Sequence, residues 1–272
     1  MILDKFNLDR KVVLITGGGT GLGLEMVKFI SRAGADVIVA GRRLDPLESA
    51  VSIVESEGRK ALAVQTDVSD SSQVQNLVEK SLGRFGKIDV LINNAAIVAD
   101  NIVKPIWDIS DHEWSTAVDV NLTGAFFCSR EVSKHMADRG AGKIINTASG
   151  FGLRGGKDIY MYCCTKGGII QLTKVLSFSL ARFGITANTI VPGFIPTEAT
   201  ESEFRTTLPK SGEFLPAGEL GQPKHIGPIA VYLASSASDY MTGEIFTLDG
   251  GGLSAGIAPT GYSPIENLET GR

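Results

Sequence analysis

Cysteine and histidine are scarce, three of each in 272 residues. The cysteines are odd in number, Cys163 and Cys164 are adjacent, and none stands at metal-ligand spacing from His112, His135 or His225. Neither a disulfide framework nor a metal module is therefore encoded, and a reducing, cytoplasmic setting fits best. Long apolar runs are also missing. No stretch reaches the roughly 18 apolar residues of a membrane span, and the start, Met-Ile-Leu-Asp-Lys-Phe-Asn, carries no apolar core behind a basic segment. No excess of one charge sign exists either, because 26 Lys and Arg oppose 30 Asp and Glu for a net charge of -4. Nucleic acid and anionic membrane surfaces are thereby disfavoured as partners. No internal repeat, low-complexity tract or linker divides the chain, which reads as a single domain over 1–272 with small-molecule chemistry as its trade.

Short β-branched runs are present, and they alternate with helical patterns. Strands are expected at Lys11 to Thr16, Asp36 to Ala40, Ala61 to Gln65, Val90 to Asn93, Lys143 to Asn146, Thr186 to Ile190 and Glu244 to Leu248. Helices fit near Leu22 to Ala33, Pro46 to Gly58, Ser71 to Phe85, Asp111 to Arg139, Tyr160 to Phe183 and Lys224 to Ala234. This rhythm predicts an α/β fold, a doubly wound parallel sheet of about seven strands with helices on both faces. The long segments 111–139 and 160–183 carry small residues and are expected to pack against another subunit, giving a dimer or tetramer. Residues 194–221 lack a clear period but hold aromatics, as a substrate lid would. The tail, 253–272, is rich in glycine and proline and is expected either to be disordered or to lie across a neighbouring subunit.

Directly after the first strand stands Thr16-Gly17-Gly18-Gly19-Thr20-Gly21-Leu22-Gly23, opening a helix. Glycines let backbone approach a pyrophosphate, and a helix N-terminus supplies free N–H groups and partial positive charge. Gly17, Gly19, Thr20, Gly21, Leu22 and Gly23 are accordingly the candidate cradle of a dinucleotide. An acidic residue at the end of the second strand would bind a ribose 2′-hydroxyl, but the sequence there is Ala40-Gly41-Arg42-Arg43. A guanidinium at Arg42 suits a 2′-phosphate, so NADP is favoured, with NAD as the alternative cofactor; the plain alternative is that both arginines are solvated loop charges.

Tyr162 and Lys166 stand four residues apart, and Ser149 precedes the tyrosine by thirteen. On a helix that spacing stacks phenol and ammonium on one face. A cation beside a tyrosine stabilises its phenolate, so the trio could move a proton to or from a substrate oxygen. By itself the pair is a weak signal, since any helical surface can carry it. Taken singly, Ser149 could be a strand-end turn residue and Asn121 a helix kink.

In this order the motifs resemble the short-chain dehydrogenase/reductase superfamily in its common single-domain form. They are Thr16-Gly17-x-x-x-Gly21-x-Gly23, Asp67-Val68, Asn93-Asn94-Ala95-Ala96, Asn121 in Asp-Val-Asn-Leu-Thr-Gly, Ser149, Tyr162 with Lys166, Val191-Pro192-Gly193 followed by Thr197, and Leu248-Asp249-Gly250-Gly251. Ala96 departs from the family's usual glycine and adds a methyl beneath the nicotinamide ribose. The resemblance implies an oxidoreductase that interconverts a secondary alcohol and a ketone. It assigns Asp67 and Val68 to the adenine, Asn94 to the cofactor's centre, and Pro192, Gly193, Ile195 and Thr197 to the nicotinamide end. Tyr162 becomes general acid or base, Ser149 the group that polarises the substrate oxygen, and Lys166 the partner of Tyr162 and of the ribose. Asn121 is implied to keep a water in line with Lys166.

Between Ser149 and Tyr162, Phe151 and Leu153 offer apolar surface while Arg154 and Lys157 offer charge; Tyr160 is expected to line the substrate pocket beside them. The wording of the turns resembles members acting on sugar acids, polyols or 3-oxoacyl thioesters. Three alternatives stand beside this reading: a catalytically silent NADP(H)-binding sensor or scaffold, an enzyme that retains its cofactor for epimerisation or dehydration, and a redox switch at Cys163 and Cys164. For the last, burial of the cysteines as small hydrophobes is the simpler account.

Overall fold

Val12–Thr16 has every side chain buried, the signature of a strand inside a parallel sheet covered on both faces. The chain, described by a computed structural model over residues 2–97, 104–198, 212 and 214–254, places this strand, β1, third in a seven-stranded sheet, inside both edges. The others are β2 (Asp36–Gly41), β3 (Ala61–Gln65), β4 (Val90–Asn93), β5 (Gly142–Thr147), β6 (Ile185–Pro192) and β7 (Ile245–Leu248). Their order is 3-2-1-4-5-6-7 and every pairing is parallel. The Rossmann-type doubly wound sheet expected from the strand and helix rhythm is the one that forms. Strand order reverses between β1 and β4, and the crevice at their carboxyl ends is where such sheets bind ligands.

Successive strand residues face opposite ways, so one strand feeds two cores. Val13 and Ile15 join Val37, Val39 and Ile92 on one face, while Val12 and Leu14 join Ile38, Ala40 and Leu91 on the other. The first face is covered by α1 (Gly21–Arg32), α2 (Leu44–Ser56) and the late helix α7 (Ile226–Ala234). The second is covered by α3 (Ser71–Phe85), α5 (Gly124–Arg139) and the end of α6 (Tyr160–Leu180), with α4 (Asp111–Val118) leading into α5. Local chemistry fixes the helix starts. Asp70 accepts from the N–H groups of Ser72 and Gln73 at the head of α3, and Ser110 with Glu113 forms a reciprocal capping box at the head of α4.

One difference from the expected helix over 111–139 matters for function. A π turn, Asp119–Thr123, separates α4 from α5. The widened turn carries Asn121 into the interior, 3% exposed, where its Oδ1 accepts from the Ile97 N–H at 2.8 Å and its Nδ2 donates to the Ile97 carbonyl at 3.1 Å. Single π turns of this kind recur at functional sites.

Polar groups also cross the core. Asn93 Nδ2 donates to Asn146 Oδ1 at 2.8 Å, Asn146 Nδ2 to Thr173 Oγ1 at 2.8 Å, and Thr189 Oγ1 to Thr173 Oγ1 at 2.7 Å. This ladder ties β4, β5 and β6 to the middle of α6. At the opposite end of the sheet from the crevice, Asp89, 7% exposed, accepts from the Val12 N–H at 2.9 Å and pairs with Lys87 at 2.9 Å and Arg139 at 2.8 Å. Burial alone would raise its pKa, yet the hydrogen bonds from Lys87, Arg139 and Val12 together hold the carboxyl below the ordinary 3.8. A depressed carboxyl stabilises the fold above that ordinary value and ceases to do so as pH falls through the folded one. Asp89→Ala should lower the unfolding free energy by about 3 kcal/mol at pH 7. In urea melts the deficit should shrink below about pH 4; an unchanged midpoint at pH 7 would show that the cluster contributes nothing.

Candidate active site

A cavity of about 630 Å³ opens at the carboxyl ends of the strands and gathers residues from six loops. Gly17, Gly19, Thr20, Gly21 and Leu22 form one wall, Arg42, Asp67 and Val68 a second, Asn94 the middle, and Ser149, Tyr162, Lys166, Pro192, Gly193, Ile195 and Thr197 the far end. Each of these was a candidate in the sequence. Gly23 is the candidate cradle residue outside the lining: it is buried in α1, and a Cβ there would sit 2.0 Å from the Gly17 carbonyl oxygen. Gly17 itself takes a φ of 65°, a left-handed conformation open to glycine.

These residues fit a dinucleotide on two observations. Thr20 precedes α1 without a side-chain cap, so the first-turn N–H groups remain available to a phosphate. Arg42 and Arg43 are exposed at the head of α2, line the cavity, and meet no carboxylate among the described residues. Two guanidiniums without counter-ions suit a 2′-phosphate.

The supporting residues are less visible in sequence. Thr16, 2% exposed, accepts through Oγ1 from the N–H groups of Asn94 and Ala95 at 3.0 and 3.1 Å. Asn94 Nδ2 returns donations to the carbonyls of Thr16 and Gly17, so this side chain braces the glycine turn. Asp67 Oδ1 is engaged by the Ser69 N–H at 3.0 Å and hydroxyl at 2.6 Å, which fixes its orientation at the cavity edge. Ala96 lines the cavity with its extra methyl in place.

At the far end, α6 presents Tyr162, half-buried, and Lys166, 3% exposed, on one face. Ser149, two residues beyond β5, is 8% exposed and lines the same end of the cavity as the phenol. Its Oγ accepts from the Phe151 N–H at 3.2 Å. Lys166 Nζ donates to the Thr147 carbonyl at 2.8 Å and lies 5.6 Å from the Tyr162 ring centroid. The expected lowering of the phenol pKa by Lys166 is not realised in this geometry: burial pushes Tyr162 above 10, with the Ser149 hydrogen bond opposing it. The ammonium is turned to Thr147, and burial pushes its own pKa down to about 8. Thr147 acts through a backbone carbonyl, which no side-chain pattern announces. Asn121 Nδ2 reaches Thr165 Oγ1 at 3.3 Å, one residue before Lys166.

The candidate substrate residues divide. Ser149 and Tyr162 line the cavity; Phe151, Arg154 and Tyr160 do not. Phe151 packs on the Tyr162 ring, Arg154 lies over Phe151, and the Tyr160 hydroxyl is drawn aside to Asp158 at 3.2 Å. Asp158 has a φ of 59°, a strained position for a non-glycine residue, which turns the chain into α6. Much of the expected lid, 199–211 and Glu213, and nearly all of the tail, 255–272, lie outside the described residues.

Residues 11–207, which include the glycine turn and the Tyr162 and Lys166 pair, match a family model described as short chain dehydrogenase. The chain belongs to the short-chain dehydrogenase family. It is 38% identical over 257 residues to a 2-dehydro-3-deoxy-D-gluconate 5-dehydrogenase of Dickeya dadantii, covering 93% of this chain and 99% of that protein. A 3-oxoacyl-[acyl-carrier-protein] reductase of Synechocystis is 33% identical over 246 residues, covering 90% and 97%. Among solved structures, a gluconate 5-dehydrogenase from Burkholderia cenocepacia in complex with NADP and tartrate superimposes with a TM-score of 0.88 at 34% identity, covering 94% of this chain and all of that one. The chain is thus a short-chain dehydrogenase and an oxidoreductase. No described helix is long and apolar enough to cross a membrane, and no cluster of His, Cys, Asp or Glu among the described residues could hold a metal ion.

Lys166 gives this site a stability signature. Its folded pKa, about 8, lies below the ordinary 10.5, so the buried ammonium penalises the fold wherever it is charged. The penalty is full below about pH 8 and relieved as pH rises towards 10.5. Lys166→Met should therefore raise cofactor-free stability by about 1 to 2 kcal/mol at pH 7, after loss of the Thr147 hydrogen bond. Urea melts at pH 7 and pH 10 test this; a variant less stable than the parent at pH 7 contradicts it.

Proposed function

We propose that this short-chain dehydrogenase is an NADP-preferring enzyme that interconverts a secondary alcohol and a ketone, with Tyr162 as the proton donor and acceptor. The observation that supports it best is the convergence of Ser149, Tyr162 and Lys166 on one end of a cavity whose other end holds the glycine turn, Arg42 and Arg43. When bound, the nicotinamide supplies or accepts the hydride. Gly17 to Gly23 and the first turn of α1 would hold the pyrophosphate, Asp67 and Val68 would border the adenine, and Arg42 with Arg43 would take the 2′-phosphate. Asn94 keeps the glycine turn in shape, while Pro192, Gly193, Ile195 and Thr197 back the nicotinamide end.

Ser149 hydrogen-bonds the substrate oxygen and orients it towards Tyr162. The phenol gives that oxygen a proton on reduction and takes it back on oxidation. The raised phenol pKa keeps Tyr162 protonated in the cofactor-free site, and an ammonium freed from Thr147 towards the tyrosine would lower that pKa towards the working pH by stabilising the phenolate, which serves both directions. Asn121 is a positioning residue: it joins Ile97 to Thr165 and so sets the turn of α6 that carries Lys166. Both Tyr162 and Lys166 are in place, which disfavours the silent sensor reading. The names of the relatives support a sugar acid or a 3-oxoacyl compound as substrate. Three free thiols and the absence of a long apolar helix among the described residues suit a cytoplasmic enzyme.

NADPH absorbance followed across a panel of ketones tests the reaction. Tyr162→Phe should retain NADPH binding and lose turnover by about a hundredfold or more; a variant as active as the parent would falsify the assignment. Arg42→Ser combined with Arg43→Ser should weaken NADPH binding by about tenfold or more while leaving NADH nearly unchanged. Equal losses for both nucleotides would remove the 2′-phosphate assignment.

We further propose that a second copy packs on α5 and α6. Phe178 is 90% exposed and Val175 54%, with Phe126 and Phe183 also open. Exposed apolar surface of this extent marks an interface. Phe178→Glu should convert the parent's dimer or tetramer to a smaller species by light scattering; identical masses for variant and parent would place the interface elsewhere.

A further inference from the structure

The turn that carries Ser149 rests directly on the backbone of Lys166. Beyond β5 the chain makes one turn of 3₁₀ helix, Gly150–Gly152, headed by Ser149, whose Oγ accepts from the Phe151 N–H at 3.2 Å and whose carbonyl accepts from the Gly152 N–H at 2.8 Å. Gly152 is the point of contact. A Cβ built there would lie 2.6 Å from both the carbonyl carbon and the carbonyl oxygen of Lys166, and 3.0 Å from the Gly167 nitrogen. From the other side, a Cβ on Gly167 would meet the Gly152 carbonyl oxygen at 3.5 Å. Two backbones thus touch with no side chain between them, and they are the two that carry Ser149 and Lys166.

Backbone conformation does not ask for glycine at this place, since Gly152 is not among the residues of positive φ. The approach itself does. Gly155, in the same loop, is the contrast: a Cβ there would have no atom within 4 Å. At Gly152 the obstructing atoms belong to helix backbone and cannot rotate aside. Relief from 2.6 Å to the 3.4 Å of ordinary contact would lift the turn off α6 by about 0.8 Å, and a displacement of about 1 Å in a reacting constellation costs on the order of a hundredfold in rate.

Resting on the oxidoreductase reading above, we infer that Gly152 is a positioning residue for proton transfer: its bare contact with the Lys166 backbone fixes the place of Ser149 relative to Tyr162 and Lys166. Gly152 does not line the cavity, whereas Ser149 does, so its effect runs through the serine. With the turn lifted, Ser149 withdraws from the substrate oxygen. The glycine turn, Arg42 and Arg43 follow other strands of the sheet and keep their places, so the nucleotide end is spared.

A double-mutant cycle of Gly152→Ala and Ser149→Ala in the full chain, with NADPH and a ketone turned over by the parent, tests this. Gly152→Ala should lower kcat by about a hundredfold, with NADPH affinity by fluorescence quenching within about twofold of the parent. Ser149→Ala should lose at least as much. In that background Gly152→Ala should cost less than about threefold, because the group through which it acts is gone. Gly155→Ala should match the parent throughout. Should Gly152→Ala fold poorly, Gly167→Val presses on the same contact from the helix side and carries the same expectation. Losses that multiply in full, a matching loss of NADPH affinity, a Gly152→Ala enzyme as fast as the parent, or a Gly155→Ala enzyme as slow as Gly152→Ala would each overturn the inference while leaving the reaction class standing. A parent that oxidises NADPH with no ketone, together with a Tyr162→Phe variant identical to it, would overturn the oxidoreductase reading beneath.

Discussion

The close approach of Gly23 to the Gly17 carbonyl is the constraint from which the site follows. A Cβ at position 23 would lie 2.0 Å from that oxygen, so α1 can seat against the end of β1 only if the residue is glycine. This contact sets the depth of the phosphate turn and aims the unsatisfied N–H groups of the helix into the crevice. Thr16 and Asn94 then lock the turn to the end of β4. The arginines follow β2, and the helix bearing the tyrosine is tied to β5 and β6 of the same sheet through Asn146, Thr189 and Thr173, so the sheet sets the span between the two ends.

The two ends of the cavity are electrostatically opposite in character. At one end, Arg42 and Arg43 are exposed cations that meet no carboxylate among the described residues and are inexpensive to keep charged. At the other, Lys166 is a buried cation whose charge costs stability and whose hydrogen bond runs to a backbone carbonyl. A buried, uncompensated ammonium is the kind of local expense that functional sites retain.

Much of this was readable in the residues. Strand positions were plain because buried parallel strands are continuous apolar runs, and β1 and β4 show that pattern without interruption. The glycine turn and the spacing of Ser149, Tyr162 and Lys166 were equally plain, since local geometry follows from local spacing. What escaped was whatever depends on contacts distant in sequence. Asn121 in its π turn is held by a partner at Ile97, and Lys166 is held by a carbonyl at Thr147. Tyr160 was drawn off the cavity by Asp158, a residue whose left-handed backbone no periodicity reveals.

The ladder from Asn93 through Asn146 to Thr173 and Thr189 has a consequence for the order in which the molecule can assemble. Its members come from β4, β5, α6 and β6, and a half-made ladder leaves amide groups buried without partners. The half built on β1 to β3 closes through nearby pairings, whereas the half bearing Tyr162 and Lys166 is fully braced only once β6 has joined the sheet. The middle of α6 is therefore secured as one cooperative unit, because a partial ladder would leave its amides buried without partners.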